Sequence, residues 1–177
     1  AIVDQIESII NKNSINKSDI IGVGIASPGP LDSKRGIILD TLNLKIFQNY
    51  NIAEDFSKKL DLDAYIENDA NLFSLGEWYS QYKKKNVTVG VTLGTGLGFG
   101  LIINGKIFTG GHGFAMEYSL SPYEWGMCEE NVSIRYLRKR SKELYGKEIS
   151  PRIIEDYYYN DYQTPLRAYE YNTGNDF

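Results

Sequence analysis

Ile2, Ile6, Ile9 and Ile10 recur at helical spacing, with Asp4, Gln5, Glu7 and Ser8 between them, which predicts an amphipathic helix over residues 1–11. No capping residue precedes Ala1, so the chain is expected to be cut from something longer. The next apolar run, Ile20 to Ala26, contains Gly22 and Gly24 and predicts a buried strand that another backbone or a ligand approaches closely. Ser27-Pro28-Gly29-Pro30 ends it. Pro28 and Pro30 remove amide donors, while Gly29 lets a ligand near the backbone; a plain turn accounts for the same residues.

Asp32 to Gly36 reads as a hairpin turn and Ile37 to Leu39 as the returning strand, leading to a polar loop around Asn43. Asn51 with Glu54 three positions later predicts a cap for a helix over Ile52 to Leu60. Ala64-Tyr65-Ile66 is a short strand with Glu67-Asn68-Asp69 at its carboxyl end, where open α/β sheets bind ligands. A helix from Ala70 to Gln81 follows, with Leu72, Leu75, Trp78 and Tyr79 expected toward the core. The charged connector Lys83-Lys84-Lys85-Asn86 is the expected boundary between an N-terminal lobe (1–85) and a C-terminal lobe (86–177).

Val87 to Leu93 and Leu97 to Ile103 read as strands joined at Gly94-Thr95-Gly96, and Asn104-Gly105 is a type I′ hairpin signal into Lys106 to Thr109. This succession is a β-meander. After the loop Gly110-Gly111-His112-Gly113, a helix is expected over Glu129 to Leu144, with Gly146 at C′. Ser150-Pro151 and Thr164-Pro165 mark two further helix starts, and the little room left before Gly174 suggests a cut C-terminus as well.

Bulk properties narrow the function classes. Hydrophobic residues make up 42% of the 177 and charged residues 24%, ordinary values for a globular protein. With no long uncharged apolar run and no targeting signal, the chain is expected to be soluble and cytoplasmic, without a membrane partner. The net charge of −4 argues against a nucleic-acid surface, and the basic clusters Lys83 to Lys85 and Arg135 to Arg140 read as solvated faces. The lone Cys128 fits a reducing compartment, and neither it nor the lone His112 can complete a tetrahedral zinc site. Cys128 reads as a small core residue and His112 as a surface one.

Asp69 is the candidate general base: an alcohol attacking a phosphoryl group must lose its proton, and a carboxylate within hydrogen-bond reach accepts it. Asn68 could hold a neighbouring hydroxyl. The commoner alternative is that Asn68 and Asp69 cap the helix behind them. Gly94-Thr95-Gly96-Leu97-Gly98-Phe99-Gly100 fits neither a dinucleotide fingerprint nor a P-loop, but its amides and the Thr95 hydroxyl could surround a phosphate; a glycine hairpin without ligand fits as well. Glu117 and Glu130 stand among small or apolar neighbours and could accept from sugar hydroxyls, or lie on a solvated surface.

In chain order, Gly22-x-Gly24-Ile25-x-x-Pro28-Gly29-Pro30-Leu31-Asp32, Leu42-Asn43-Leu44, Glu67-Asn68-Asp69-Ala70-Asn71 with Gly76-Glu77, Leu93-Gly94-Thr95-Gly96-Leu97-Gly98-x-Gly100 and Gly113-Phe114-Ala115-Met116-Glu117 resemble the ROK family of sugar kinases and sugar-responsive repressors. The resemblance covers roughly residues 20–145. It implies an α/β, actin-like (ribonuclease-H-like) ATPase fold, with two lobes of mixed sheets flanked by helices, incomplete in this chain. It implies ATP- and Mg²⁺-dependent phosphorylation of a hexose or hexose derivative bound between the lobes, in a cytoplasmic homodimer, with a non-catalytic sugar-binding or regulatory protein as the alternative. Asp69 would be the base; Gly29, Asn43, Asn68, Glu117 and Glu130 would contact sugar; Gly94, Thr95 and Gly96 would lie near the ATP phosphates.

The chain also departs from the family. Glu117-Tyr118-Ser119-Leu120 stands where the family has Glu-x-Gly-His, so leucine replaces the histidine that touches sugar and binds structural zinc. Only Cys128 remains of the cysteines that should follow, so no structural zinc is expected. The first phosphate motif should lie before residue 1 and the adenosine-binding glycines beyond Phe177, leaving either a piece of a longer kinase or a degenerate member.

Overall fold

The computed structural model describes residues 2–41, 44–111, 113, 115–124 and 126–146. The expected helix starts at Ser150-Pro151 and Thr164-Pro165 lie outside these residues, as do Asn43 and His112. The described residues divide into two compact units: those within 1–92 and 98–117, and those within 93–97 and 118–146.

The first unit opens with helix α1 (Ile2–Lys12), which leads to strand β1 (Val23–Ser27). Two short strands, β2 (Leu31–Asp32) and β3 (Ile37–Ile38), form an antiparallel hairpin joined by β4 (Tyr50–Asn51). Helix α2 (Ile52–Leu60) and strand β5 (Ala64–Asn68) follow, and β5 pairs parallel with β1 from Val23↔Ala64 to Ser27↔Asn68. Ile38, Ile52, Phe56, Leu60 and Ile66 form the buried core beneath this sheet, with Val3 and Ile6 of α1 packed against it. Asn51 caps α2 as its spacing predicts, its side chain accepting from the Glu54 amide at 3.0 Å.

Two expectations for this region shift. The strand begins at Val23, and Ile21 is 98% exposed, because pairing starts only where the Val23 amide reaches the Asp63 carbonyl at 2.7 Å. In α1, Val3 and Ile6 meet the core while Ile2 and Ile9 remain exposed, which rotates the apolar face from the predicted one.

Helix α3 (Asp69–Gln81) lies on the sheet of strands β6 (Val87–Leu93), β7 (Leu97–Ile103) and β8 (Lys106–Ile107). Asn104 and Gly105, at φ of 50° and 76°, make the turn between β7 and β8 that Asn-Gly predicts. The fully buried residues of α3 are Ala70, Asn71 and Ser74; of the predicted Leu72, Leu75, Trp78 and Tyr79, the first three are half-buried, with the Trp78 ring against Gly105, and Tyr79 is exposed. The cause is close approach. A Cβ on Gly98 would lie 2.8 Å from the Ala70 Cβ, and one on Gly100 would lie 2.7 Å from the Ala70 carbonyl oxygen and 2.8 Å from the Ser74 Cβ. In its first two turns the helix thus sets small residues against glycines on the sheet, where large apolar side chains have no room, while further along Trp78 packs against Gly105.

The same packing explains why the expected lobe boundary at Lys83–Asn86 falls inside the first unit: the meander from Val87 to Thr92 and from Gly98 onward groups with α3. In the second unit, β9 (Pro122–Tyr123) and β10 (Gly126–Met127) form a small hairpin before α4 (Cys128–Val132) and α5 (Ile134–Tyr145). The single helix predicted over Glu129 to Leu144 is therefore two. Ser133 is extended at φ −88° and ψ 164°, and its side chain accepts from the Tyr136 amide, capping α5 and breaking the run. Gly146 ends α5 in the left-handed conformation expected of it.

Candidate functional site

The parallel register of β1 and β5 sets Ser27 beside Asn68, so Pro28-Gly29-Pro30 and the start of α3 emerge together at the carboxyl edge of the sheet. Asn68 is the N-cap of α3: its Oδ1 accepts from the Ala70 amide at 2.9 Å and the Asn71 amide at 3.1 Å. Capping uses the carbonyl oxygen and leaves the Nδ2 group to donate elsewhere. A Cβ added to Gly29 would lie 3.3 Å from that Nδ2, so glycine keeps the backbone clear of it. A ligand bound through Nδ2 would therefore use a different atom of Asn68 from the one that caps the helix.

A pocket in this unit is lined by Gly29, Asn68 and Glu117, together with Glu67, Asn71 and Phe99. It encloses about 20 Å³, room for about one water. Glu67 Oε1 accepts from the Asn68 amide at 2.8 Å and from Asn71 Nδ2 at 3.0 Å, tying the strand end to the first turn of α3. Asp69 is the first residue of α3 and is exposed; its Oδ1 accepts from the Ala70 amide at 2.9 Å. It adjoins Asn68 in the chain but is not itself a lining residue.

Gly94, Thr95, Gly96 and Glu130 belong to the second unit. The turn is held from both sides: the Gly94 amide donates to the Gly96 carbonyl at 2.9 Å, and the Ile134 amide at the start of α5 donates to the Gly94 carbonyl at 3.0 Å. Glu129 Oε2 accepts from the Leu97 amide at 3.0 Å, and a Cβ on Gly96 would lie 3.1 Å from the Glu129 carboxyl carbon. Arg135 Nη2 reaches both Glu129 Oε1 and the Thr95 carbonyl at 3.4 Å. Among the described residues, the amides of Thr95 and Gly96 have no acceptor, which leaves two donors and the Thr95 hydroxyl for an anion.

Glu130 is engaged differently: its Oε2 accepts from the Met127 amide at 2.9 Å at the start of α4. The sequence pattern points to Glu130 and not to Glu129, whose carboxylate braces the Gly94-Thr95-Gly96 turn. It also passed over Asn71 and Glu67 as partners. Their four-residue spacing was the available signal, since it places two side chains one turn apart. Among the described residues, no group of three or more His, Cys, Asp or Glu side chains could hold a metal ion.

The ROK family model matches residues 1–120. A xylose repressor from Caldicellulosiruptor bescii is 37% identical over 164 residues, covering 86% of this chain and 41% of the repressor. An N-acetyl-D-glucosamine kinase from Histophilus somni is 31% identical over 170 residues, covering 84% of this chain and 55% of the kinase. The chain thus spans about half the length of the curated relatives it matches. The structure of a ROK glucokinase from Streptomyces griseus, in complex with glucose and AMPPNP, superposes with a TM-score of 0.70 at 24% identity, covering 93% of this chain and 61% of that one. The fold is accordingly the α/β architecture of the actin-like ROK sugar kinases, present in part. By the extent of the family match, the chain belongs to the ROK family.

Proposed function

We propose that the protein phosphorylates a hexose or hexose derivative with ATP, with Asp69 accepting the proton of the attacking hydroxyl. The single observation that supports this best is the corner where Gly29 abuts the amide group of Asn68 and Asp69 opens α3. The pocket there offers neutral donors, carboxylate acceptors and an aromatic wall from Phe99, a set suited to a polyol rather than an anion. Asn68 Nδ2 and Glu117 would orient sugar hydroxyls, with Gly29 giving the ring its backbone clearance. Asn43 and Glu130 remain in the proposal as sugar contacts on the family resemblance.

The curated relatives include kinases acting on sugars, such as the N-acetyl-D-glucosamine kinase of Histophilus somni, which favours phosphoryl transfer. The residues present fit a nucleotide's phosphates: two amides and a hydroxyl converge at Gly94-Thr95-Gly96, in a unit rich in cations. Bound ATP supplies the phosphoryl group, with Mg²⁺ neutralising its charge. Thr95 and Gly96 hold the phosphates, and Asp69 takes the proton. The pocket volume of about 20 Å³ is smaller than a hexose, so a bound sugar would extend beyond it.

The second reading is a sugar-binding regulator, favoured by the 37% identity to a xylose repressor. A coupled ADP-release assay over a panel of hexoses, N-acetylhexosamines and xylose, run on the full gene product, separates the two. Turnover with any of them supports the kinase; calorimetric sugar binding without turnover supports the regulator. The resemblance further implies a cytoplasmic homodimer, which light scattering on the full gene product checks.

A further inference from the structure

Asn68 alone is enough to cap α3, since its Oδ1 already accepts from the Ala70 and Asn71 amides. The chain nevertheless adds two more polar groups at the same corner. Asn71 sets a carboxamide at a buried position of the helix, and Glu67 sets a half-buried carboxylate near the end of β5. Both placements cost solvation unless the groups are hydrogen-bonded. They satisfy each other: Glu67 Oε1 accepts from Asn71 Nδ2 at 3.0 Å, and the same oxygen accepts from the Asn68 backbone amide at 2.8 Å.

One oxygen therefore grips Asn68 by its backbone and the helix by a side chain one turn further on. Helix stability explains part of this, because a carboxylate at a helix N-terminus is favourable by itself. It does not call for the second bond to a buried asparagine, since the cap is complete without it. The consequence falls on the group that remains. With Oδ1 held by two amides and the backbone held by Glu67, Asn68 Nδ2 is left to donate in one direction, alongside Gly29. A donor held in place before binding loses less conformational freedom when a hydroxyl docks on it.

We propose that Glu67 and Asn71 are positioning residues for sugar recognition: together they hold Asn68 so that its Nδ2 group donates into the pocket in one fixed direction, and they act through Asn68 rather than by touching the sugar. The proposal rests on the reading of that amide group as a sugar contact, but not on catalysis by Asp69 or on a nucleotide. It holds equally for a kinase and for a sugar-binding regulator.

The test is calorimetric titration of glucose, N-acetylglucosamine and xylose into the full gene product and into Glu67→Leu, Glu67→Gln and Asn71→Leu, each also combined with Asn68→Asp. Circular dichroism verifies that each variant is folded, and Asn71→Leu breaks the brace from its other end. Asn68→Asp keeps a capping oxygen and removes the donor. Glu67→Leu and Asn71→Leu should each raise the sugar Kd about ten-fold alone, and by less than about two-fold once Asn68 is aspartate, because the group they aim is then gone. Glu67→Gln keeps an acceptor for both donors and should bind within about two-fold of wild type. Equal weakening in both backgrounds would overturn the proposal, by showing direct contact or general loosening. The side-chain amide resonances of Asn68 report the brace without sugar: they should lose their single position in Glu67→Leu and keep it in Glu67→Gln. Resonances unmoved in Glu67→Leu would overturn the proposal as well. If they respond as expected while none of the three sugars binds the wild type, the sugar reading of the pocket fails and the brace stands, so the two fail separately.

Discussion

At the scale of single residues, the corner between β1 and α3 is governed by which atom of each side chain is already committed. Asn68 commits its carbonyl to the helix and keeps its amide group, while Glu67 commits one oxygen to both the Asn68 amide and Asn71. Gly29→Ala would set a methyl 3.3 Å from Asn68 Nδ2, so it is expected to raise KM for sugar roughly ten-fold while changing kcat little, because it crowds a ground-state contact. Steady-state kinetics measures this split. A fall in kcat with KM unchanged would show that Gly29 does not border the sugar. Asp69 was legible as a candidate from its place after a short strand. Its exposure and its bond to the Ala70 amide were not, since sequence gives no side-chain direction.

At the scale of elements, α3 and the meander depend on the absence of side chains. Gly100→Ala would drive its methyl to 2.7 Å from the Ala70 carbonyl oxygen, a backbone atom that cannot move aside cheaply. A loss of about 1–3 kcal/mol in unfolding free energy is expected from such overpacking, measured by urea denaturation. Ile66→Ala, at 3% exposure in the core under β1 and β5, is expected to cost about 2–5 kcal/mol by the same measurement.

A pH effect also belongs to this scale. Lys59 donates to Asp55 on α2, and Tyr50 on β4 donates to it as well, and both hold the Asp55 carboxyl below its ordinary value. Because the folded-state value is depressed, the stabilisation is fully present above the unfolded carboxylate range and is lost as pH falls through the lower, folded value. Carboxyl-carbon NMR titration should find the Asp55 transition below the ordinary aspartate value, and a transition at or above that value would contradict the pairing.

Element positions were largely legible because caps, turns and apolar periodicity are local: Asn51 before α2, Asn104-Gly105 between β7 and β8, and Gly146 after α5 all do what their chemistry predicts. Facing was not. The buried side of α3 is set by glycines some twenty to thirty residues further on, and periodicity counted Leu72 and Tyr79 as core without knowing how close the sheet would come. The break at Ser133 was missed because the apolar spacing continues across it, while a cap is a matter of backbone conformation. Glu129 escaped notice because its bond to the Leu97 amide spans 32 residues.

At the scale of the whole molecule, family membership rests on a match that runs over residues 1–120 rather than on any one motif. The first unit holds a neutral polar pocket and the second a turn and helix rich in cations. The replacement of the family's metal-binding histidine by Leu120, with Cys128 the sole cysteine, predicts a protein without stoichiometric zinc. Metal analysis of the purified full gene product checks this, and one zinc per chain would contradict it.

Asp69 as the proton acceptor of a sugar kinase is open to direct test. The most direct measurement is ADP release by the full gene product and its Asp69→Asn variant on the best hexose, with sugar affinity followed by calorimetry. Asp69→Asn should lower kcat by about 10²–10⁴-fold, the contribution of a general base, while binding sugar within a few-fold of wild type. Wild-type turnover that survives unchanged in the variant would contradict the account.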